Sequence, residues 1–177
     1  MPDDPTLRSA DAGLARVNAL SPEEFRAEFG RCLGVERWAE ELRRRRPFSS
    51  RSELLDAADR IARTLTDEEV AAALERHPRI GEHARGARTE AEWSRGEQSG
   101  FSAGEAGVRE RFAAAQADYE RRFDRIYLVC AAHRSARELL DDLTARMGND
   151  AVTEERVVAG ELRRIALQRV ERVLDSR

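Results

Sequence analysis

Apolar residues recur at steps of three and four along almost the whole of this chain, and no stretch alternates apolar with polar as a half-buried strand requires. Val108, Phe112, Ala115 and Tyr119 are spaced in this way, and so are Leu54, Leu55, Ala58 and Ile61. A chain with that single periodicity buries its apolar stripes by packing helix on helix. There is no internal repeat and no pair of segments that could form a sheet. The expected fold class is therefore all-α, a compact single-domain multi-helix bundle over residues 13–177, preceded by a flexible N-terminal tail over 1–12. With 177 residues, such a bundle can bury a core without disulfide or metal staples.

Local signals mark where helices begin. Ser21-Pro22-Glu23-Glu24 combines a capping hydroxyl, a proline suited to the first turn and a glutamate three residues after the cap. Phe25 and Phe29 then share one helix face. A second helix around Val35–Arg45 should stop before Pro47, and Ser50 or Ser52 can open a third. Thr66-Asp67-Glu68-Glu69 starts another, which must end near His77 because Pro78 disfavours the α conformation in the residue before it. A long helix is expected from Ser102 to about Phe123, and two more over 135–147 and 151–174. The apolar run Ile126–Ala132 fits either a buried extended segment or the start of a buried helix.

Charge and composition exclude several classes of function. Asp and Glu outnumber Lys and Arg 34 to 31, for a net charge of -3. The one basic run, Arg43–Arg46, falls at an expected helix C-terminus, where the dipole favours cations, and no basic face extends it. Nucleic acid is not an expected partner. No apolar run approaches the ~20 residues of a membrane span, and the acidic N-terminus does not resemble a secretory signal. Cys32 and Cys130 suit a reducing compartment. The chain is expected to be cytoplasmic, to act on a small molecule and not to engage a membrane.

The helical pattern breaks between residues 77 and 100. Gly81, Gly86, Gly96 and Gly100 fall there, together with His77-Pro78-Arg79-Ile80-Gly81-Glu82 and Trp93-Ser94-Arg95-Gly96-Glu97-Gln98. A short helix near Thr89–Arg95 is the only regular element expected. An imidazole, a hydroxyl, a carboxylate and an amide at a break between helices form a candidate site. His77 suits general acid–base work near neutral pH, although a helix-ending histidine can equally bond to its own last turn. Ser94 and Glu97 also fit a capping box for a following helix. His83 and His133 lie in polar, arginine-rich settings and read as surface residues. No HxxxH, HExxH or CxxC spacing supports a metal site, and no Walker or dinucleotide loop supports nucleotide binding.

One arginine is out of place on a helix wheel. With Val158 at zero, Leu162 lies at about 40°, Ile165 at about 340° and Val173 at about 60°, while Arg169 falls among them at about 20°. Either Arg169 extends past the apolar face to water, or it turns its donor fork into a cleft toward an anion such as a carboxylate.

In order and spacing these segments resemble one family, the 2-oxo-4-hydroxy-4-carboxy-5-ureidoimidazoline (OHCU) decarboxylases of urate breakdown. The resemblance runs from about Leu14 to about Val173. It includes Val17-Asn18-Ala19-Leu20, Cys32-Leu33-Gly34 with Trp38, and Arg46-Pro47-Phe48. It continues through the His77–Glu82 and Trp93–Gln98 segments, Tyr119-Glu120 with Phe123, and Arg146-Met147-Gly148-Asn149-Asp150. Glu161-Leu162-Arg163-Arg164-Ile165-Ala166 with Arg169 complete it.

The resemblance implies that His77 and Glu97 are catalytic. It implies that Pro78, Ser94, Gln98, Arg169 and the segment Tyr127, Leu128, Val129, Cys130 and Ala131 bind substrate. It further implies cofactor-independent decarboxylation of OHCU to S-allantoin, with no metal, by a protein of an often homodimeric kind; the helix around Ser52–Ile61, with apolar residues on more than one side, could supply such an interface. The expected site is a cleft between the 102–123 and 151–174 helices, with Tyr127–Ala131 as its floor. Two positions depart from the family pattern, Gln116 where Asn is common and Asp124-Arg125-Ile126 in the turn after Phe123, and both are expected to shape the pocket wall. The alternative is a catalytically inactive relative that binds a ureide or purine-like ligand.

Overall fold

The capping signals act where the sequence places them. In the structure, a computed structural model describing residues 11–82 and 88–176, Ser21 and Glu24 form a reciprocal capping box ahead of helix α2 (Pro22–Leu33). Thr66 and Glu69 do the same for α5 (Asp67–Leu74), and Ser135 and Glu138 for α9 (Ala136–Arg146). Ser50, rather than Ser52, caps α4 (Arg51–Ala62). Each box satisfies backbone donors that the first helical turn leaves without partners. The remaining helices are α1 (Ala12–Ala19), α3 (Glu36–Arg44), α6 (Arg88–Glu97), α7 (Ser99–Ser102), α8 (Ala106–Phe123) and α10 (Ala151–Asp175). No strand occurs among the described residues, so the all-α expectation holds.

Several boundaries differ from the sequence reading. The expected tail over 1–12 lies outside the described residues except for its end, where Asp11 caps α1 and Ala12 opens it. The expected helix from Ser102 is two helices, α7 and α8, separated at Gly104. Residues 126–130 are not helical, which resolves that ambiguity in favour of a buried non-helical segment. No helix among the described residues is long and apolar enough to cross a membrane.

The helices pack as two units, one comprising the chain up to Leu65 with Ala166 onward, the other Thr66–Ile165. In the first, the Phe25 and Phe29 rings stack 4.0 Å apart and Trp38 donates its indole N–H to the Ala58 carbonyl. Three of the four arginines of the basic run are engaged locally. Arg43 and Arg44 pair with Glu40, and Arg46 donates to the Val17 and Leu20 carbonyls while stacking over Phe25. In the second unit Phe112, Tyr119, Tyr127, Leu139 and Leu143 centre a core that joins α8, α9 and the 127–131 segment.

Candidate active site

His77 stands just past the end of α5. Its backbone N–H donates to the Leu74 carbonyl, and its ring Nδ1 lies 2.9 Å from the Ala73 carbonyl. A carbonyl only accepts, so Nδ1 carries the hydrogen, and in the neutral ring Nε2 bears the lone pair. The bond to the last turn and a place in the site are therefore not competing readings, because the first orients the ring for the second.

Ser94 and Glu97 lie three residues apart within α6 and so share one face. Both are buried, and that face is turned into a cleft. This overturns the capping-box reading of Ser94 and Glu97, since the helix starts upstream and continues through Gly96. Gln98 follows at the junction with α7. Its side chain accepts from the Gly81 N–H at 2.9 Å and donates to the Arg79 carbonyl, folding the 79–81 turn against α6. Arg79 in turn pairs with Glu120.

The cleft is lined by His77, Pro78, Ile80, Ser94, Glu97, Gln98, Tyr127, Leu128, Val129, Ala131 and Ile165. Nine of the eleven residues predicted from the sequence are thus brought together within one unit. Cys130 does not line the cleft; its backbone N–H is held by Glu161 Oε2 at 2.8 Å. Burial, with the Glu161 and then the Glu97 carboxylate nearby, raises its thiol pKa, so it stays protonated. Arg169 belongs to the other unit and is 5% exposed, which excludes the reading in which it reaches bulk water. Val158, Leu162, Ile165 and Val173, the stripe around it, are buried as the wheel predicts.

The sequence reading missed Ile80 and Ile165. Ile165 could have been found, since it precedes Arg169 by one turn on the same stripe. The free space of the cleft is about 20 Å³, room for about one water molecule.

The expected wall from the 102–123 helix is corrected. No residue of α8 lines the cleft, because its apolar face (Val108, Phe112, Tyr119) is used in the core. Gln116, on that helix, donates to the Ile80 carbonyl from beneath the turn. Asp124 is the left-handed C-cap of α8 and, with Arg125 and Ile126, lines a separate groove of about 480 Å³ beside α5. That groove has acidic residues at Asp67, Glu75, Asp124 and Glu155 over an apolar floor, and no imidazole. Both departures from the family pattern therefore lie off the candidate cleft. His133 is exposed, as expected, and His83 falls outside the described residues.

A helical protein with a buried carboxylate and an oriented imidazole on one small cleft belongs to the class that does proton-transfer chemistry on a small ligand. Comparison with known proteins makes this specific. The profile described as OHCU decarboxylase matches residues 18–171. The 2-oxo-4-hydroxy-4-carboxy-5-ureidoimidazoline decarboxylase of Amia calva is 30% identical over 169 residues, covering 91% of this chain and 94% of that protein.

Two crystal structures share the fold. That of an OHCU decarboxylase in the presence of (S)-allantoin aligns at a TM-score of 0.69 and 22% identity, over 84% of this chain and 98% of the other. That of an (S)-allantoin synthase aligns at 0.70 and 15% identity, over 92% of this chain and 54% of the other. The chain belongs to the OHCU decarboxylase family.

Proposed function

We propose that this protein decarboxylates OHCU to S-allantoin, with His77 and Glu97 as the catalytic pair. The observation that carries the reading is the His77 ring, fixed through Nδ1 to the Ala73 carbonyl so that Nε2 is the ring's proton-accepting nitrogen, on the same cleft as buried Glu97. The substrate carries a hydroxyl and a carboxylate on one carbon, beside an imine carbon. When the carbon–carboxylate bond breaks, its electron pair forms a double bond to the neighbouring carbon and the imine pair moves onto the ring nitrogen. The ring delocalises the charge until that nitrogen takes a proton from water and CO2 departs, so the protein must supply orientation and proton control.

His77 Nε2 accepts the hydroxyl proton as the carbonyl forms and returns it to one face of the neighbouring carbon, which sets the S configuration. Glu97 shares the hydroxyl proton and accepts from the ring N–H groups. Gln98 and the backbone of Val129 and Ala131 bind the ureide amides. The family resemblance, and not a placement beside the cleft, gives Arg169 the role of holding a substrate oxygen. A grip on the departing carboxylate alone would stabilise the ground state as much as the transition state.

Decay of freshly generated OHCU, followed by absorbance and circular dichroism, tests the proposal. The intact protein should accelerate formation of the S enantiomer, and His77→Ala should slow it by about 10²-fold or more. An undiminished rate in that variant, or no acceleration by the intact chain, would overturn it. The rival reading, a silent relative, is favoured only by allantoin binding without turnover. A homodimer, as the family resemblance implies, should scatter light at about twice the 20.0 kDa chain mass at micromolar concentration, and a monomer mass would refute it.

A further inference from the structure

The segment Tyr127–Ala131 lines the cleft without helix or strand bonding to fix it. Buried backbone outside regular structure must find other partners. Two charged side chains supply them from behind. Arg146 Nη1 donates to the Leu128 carbonyl at 2.8 Å, and Glu161 Oε2 accepts from the Cys130 N–H at 2.8 Å.

Both anchors are themselves held. Arg146, 5% exposed, directs its Nε to Glu154 Oε1 at 2.8 Å, and Glu154 also accepts from Tyr119 and from Asn149. The guanidinium lies over the Tyr127 ring, 4.6 Å from its centroid, and the Tyr127 hydroxyl donates to Asp142. Glu161 is oriented through its other oxygen, which accepts from Arg164 Nη1 at 2.8 Å.

A buried ion pair such as Arg146–Glu154 is weak evidence for stability, because desolvation of both charges offsets their attraction. Its third contact, the Leu128 carbonyl, gives it a positional task. We propose that Glu161 and Arg146, the latter held by Glu154, are positioning residues of the decarboxylase site. They clamp one backbone acceptor and one backbone donor of the floor segment, and so fix the height and register of Tyr127, Leu128, Val129 and Ala131 against His77 and Glu97. Neither anchor lines the cleft, and nor does Glu154, so they act through the segment. The assignment rests on the decarboxylase reading for its kinetic consequence but not for its geometry.

The test uses Glu161, because a change at the more deeply buried Arg146 risks the fold. Glu161→Gln keeps an oxygen for the Cys130 N–H, whereas Glu161→Ala removes it. In the full chain, Glu161→Ala should lower kcat/KM for OHCU by about 10- to 100-fold per folded molecule, and Glu161→Gln should stay within about threefold of the parent. In amide NMR spectra, Glu161→Ala should shift the Cys130 resonance and its neighbours from 127 to 131 while leaving α2–α4 resonances in place. A merely structural role predicts a lower melting temperature in both variants with kcat/KM per folded molecule unchanged, and that result would overturn the proposal. If the parent chain proves inactive, the functional reading fails by itself. The amide spectra still decide the anchoring, and an unmoved 127–131 segment in Glu161→Ala would refute it.

Discussion

At the scale of single residues, the candidate site is built from side chains that combine a structural bond with a place on the cleft. His77 closes the last turn of α5 with Nδ1, and that bond orients the ring in the cleft. Gln98 lines the cleft while its amide holds the Gly81 N–H. Glu97 is different, being a carboxylate buried on a helix face with little gain for packing. Glu97→Gln preserves its shape and removes its charge. Steady-state kinetics should show kcat reduced by about 10²-fold, the scale of one acid–base group, with an unchanged melting temperature. A rate within threefold of the parent would remove Glu97 from the chemistry. These residues were legible because their chemistry is unusual where it occurs: a histidine before a proline, a carboxylate and amide in a glycine-rich break, an arginine centred on an apolar stripe.

At the scale of elements, what the sequence left open was how glycine behaves between residues 94 and 104. Gly96 falls in the glycine-rich break, yet α6 runs through it, and a Cβ added at Gly96 meets nothing within 4 Å. Gly96→Ala should therefore stabilise the protein by about 0.5–1 kcal/mol through helix propensity, read as a higher urea midpoint with activity retained. Gly100 is the opposite case. A Cβ there would lie 2.2 Å from the Arg134 carbonyl oxygen, where α7 meets the start of α9. Gly100→Ala should destabilise by about 1–3 kcal/mol. If the two changes shifted the urea midpoint equally, the close approach of α7 to Arg134 would be wrong. Propensity counts both glycines as the same cost, and only the neighbour across the interface separates them.

At the scale of the whole molecule, two phenols set the alkaline limit. Burial, reinforced by the Glu154 carboxylate, raises the pKa of Tyr119 above the ordinary phenol range, and burial with the Asp142 carboxylate does the same for Tyr127. In the unfolded chain both ionise near pH ~10. Below that pH both phenols are protonated in either state, and their contribution to stability is fully present. Above it the unfolded chain releases protons that the folded chain retains, so stability falls as pH rises through the folded values. Urea midpoints measured from pH 8 to 12 should decline gently from about pH 9, where the unfolded Cys130 thiol ionises, and more steeply from about pH 10, and Tyr127→Phe should decline less steeply there. A flat profile for the parent would contradict the burial of these hydroxyls.

The catalytic roles of His77 and Glu97 are implied by the family resemblance; the sequence by itself determined the helical class, most helix starts and the polar break that holds the candidate site. Those depend on local chemistry, namely capping hydroxyls, a three-to-four spacing of apolar residues, and polar groups that no helix stripe needs. Tertiary structure decided which faces met. It gave the face of α8 to the core and so removed that helix from the cleft, leaving Ser94, Glu97 and Gln98 to line it beside the 127–131 segment. It also placed Gln116 and Asp124–Arg125 away from the cleft and brought Arg146 and Glu161 behind its floor. Those contacts join residues far apart in the chain, through backbone groups that carry no sequence signal. They exist only once packing has fixed which buried donor needs which acceptor.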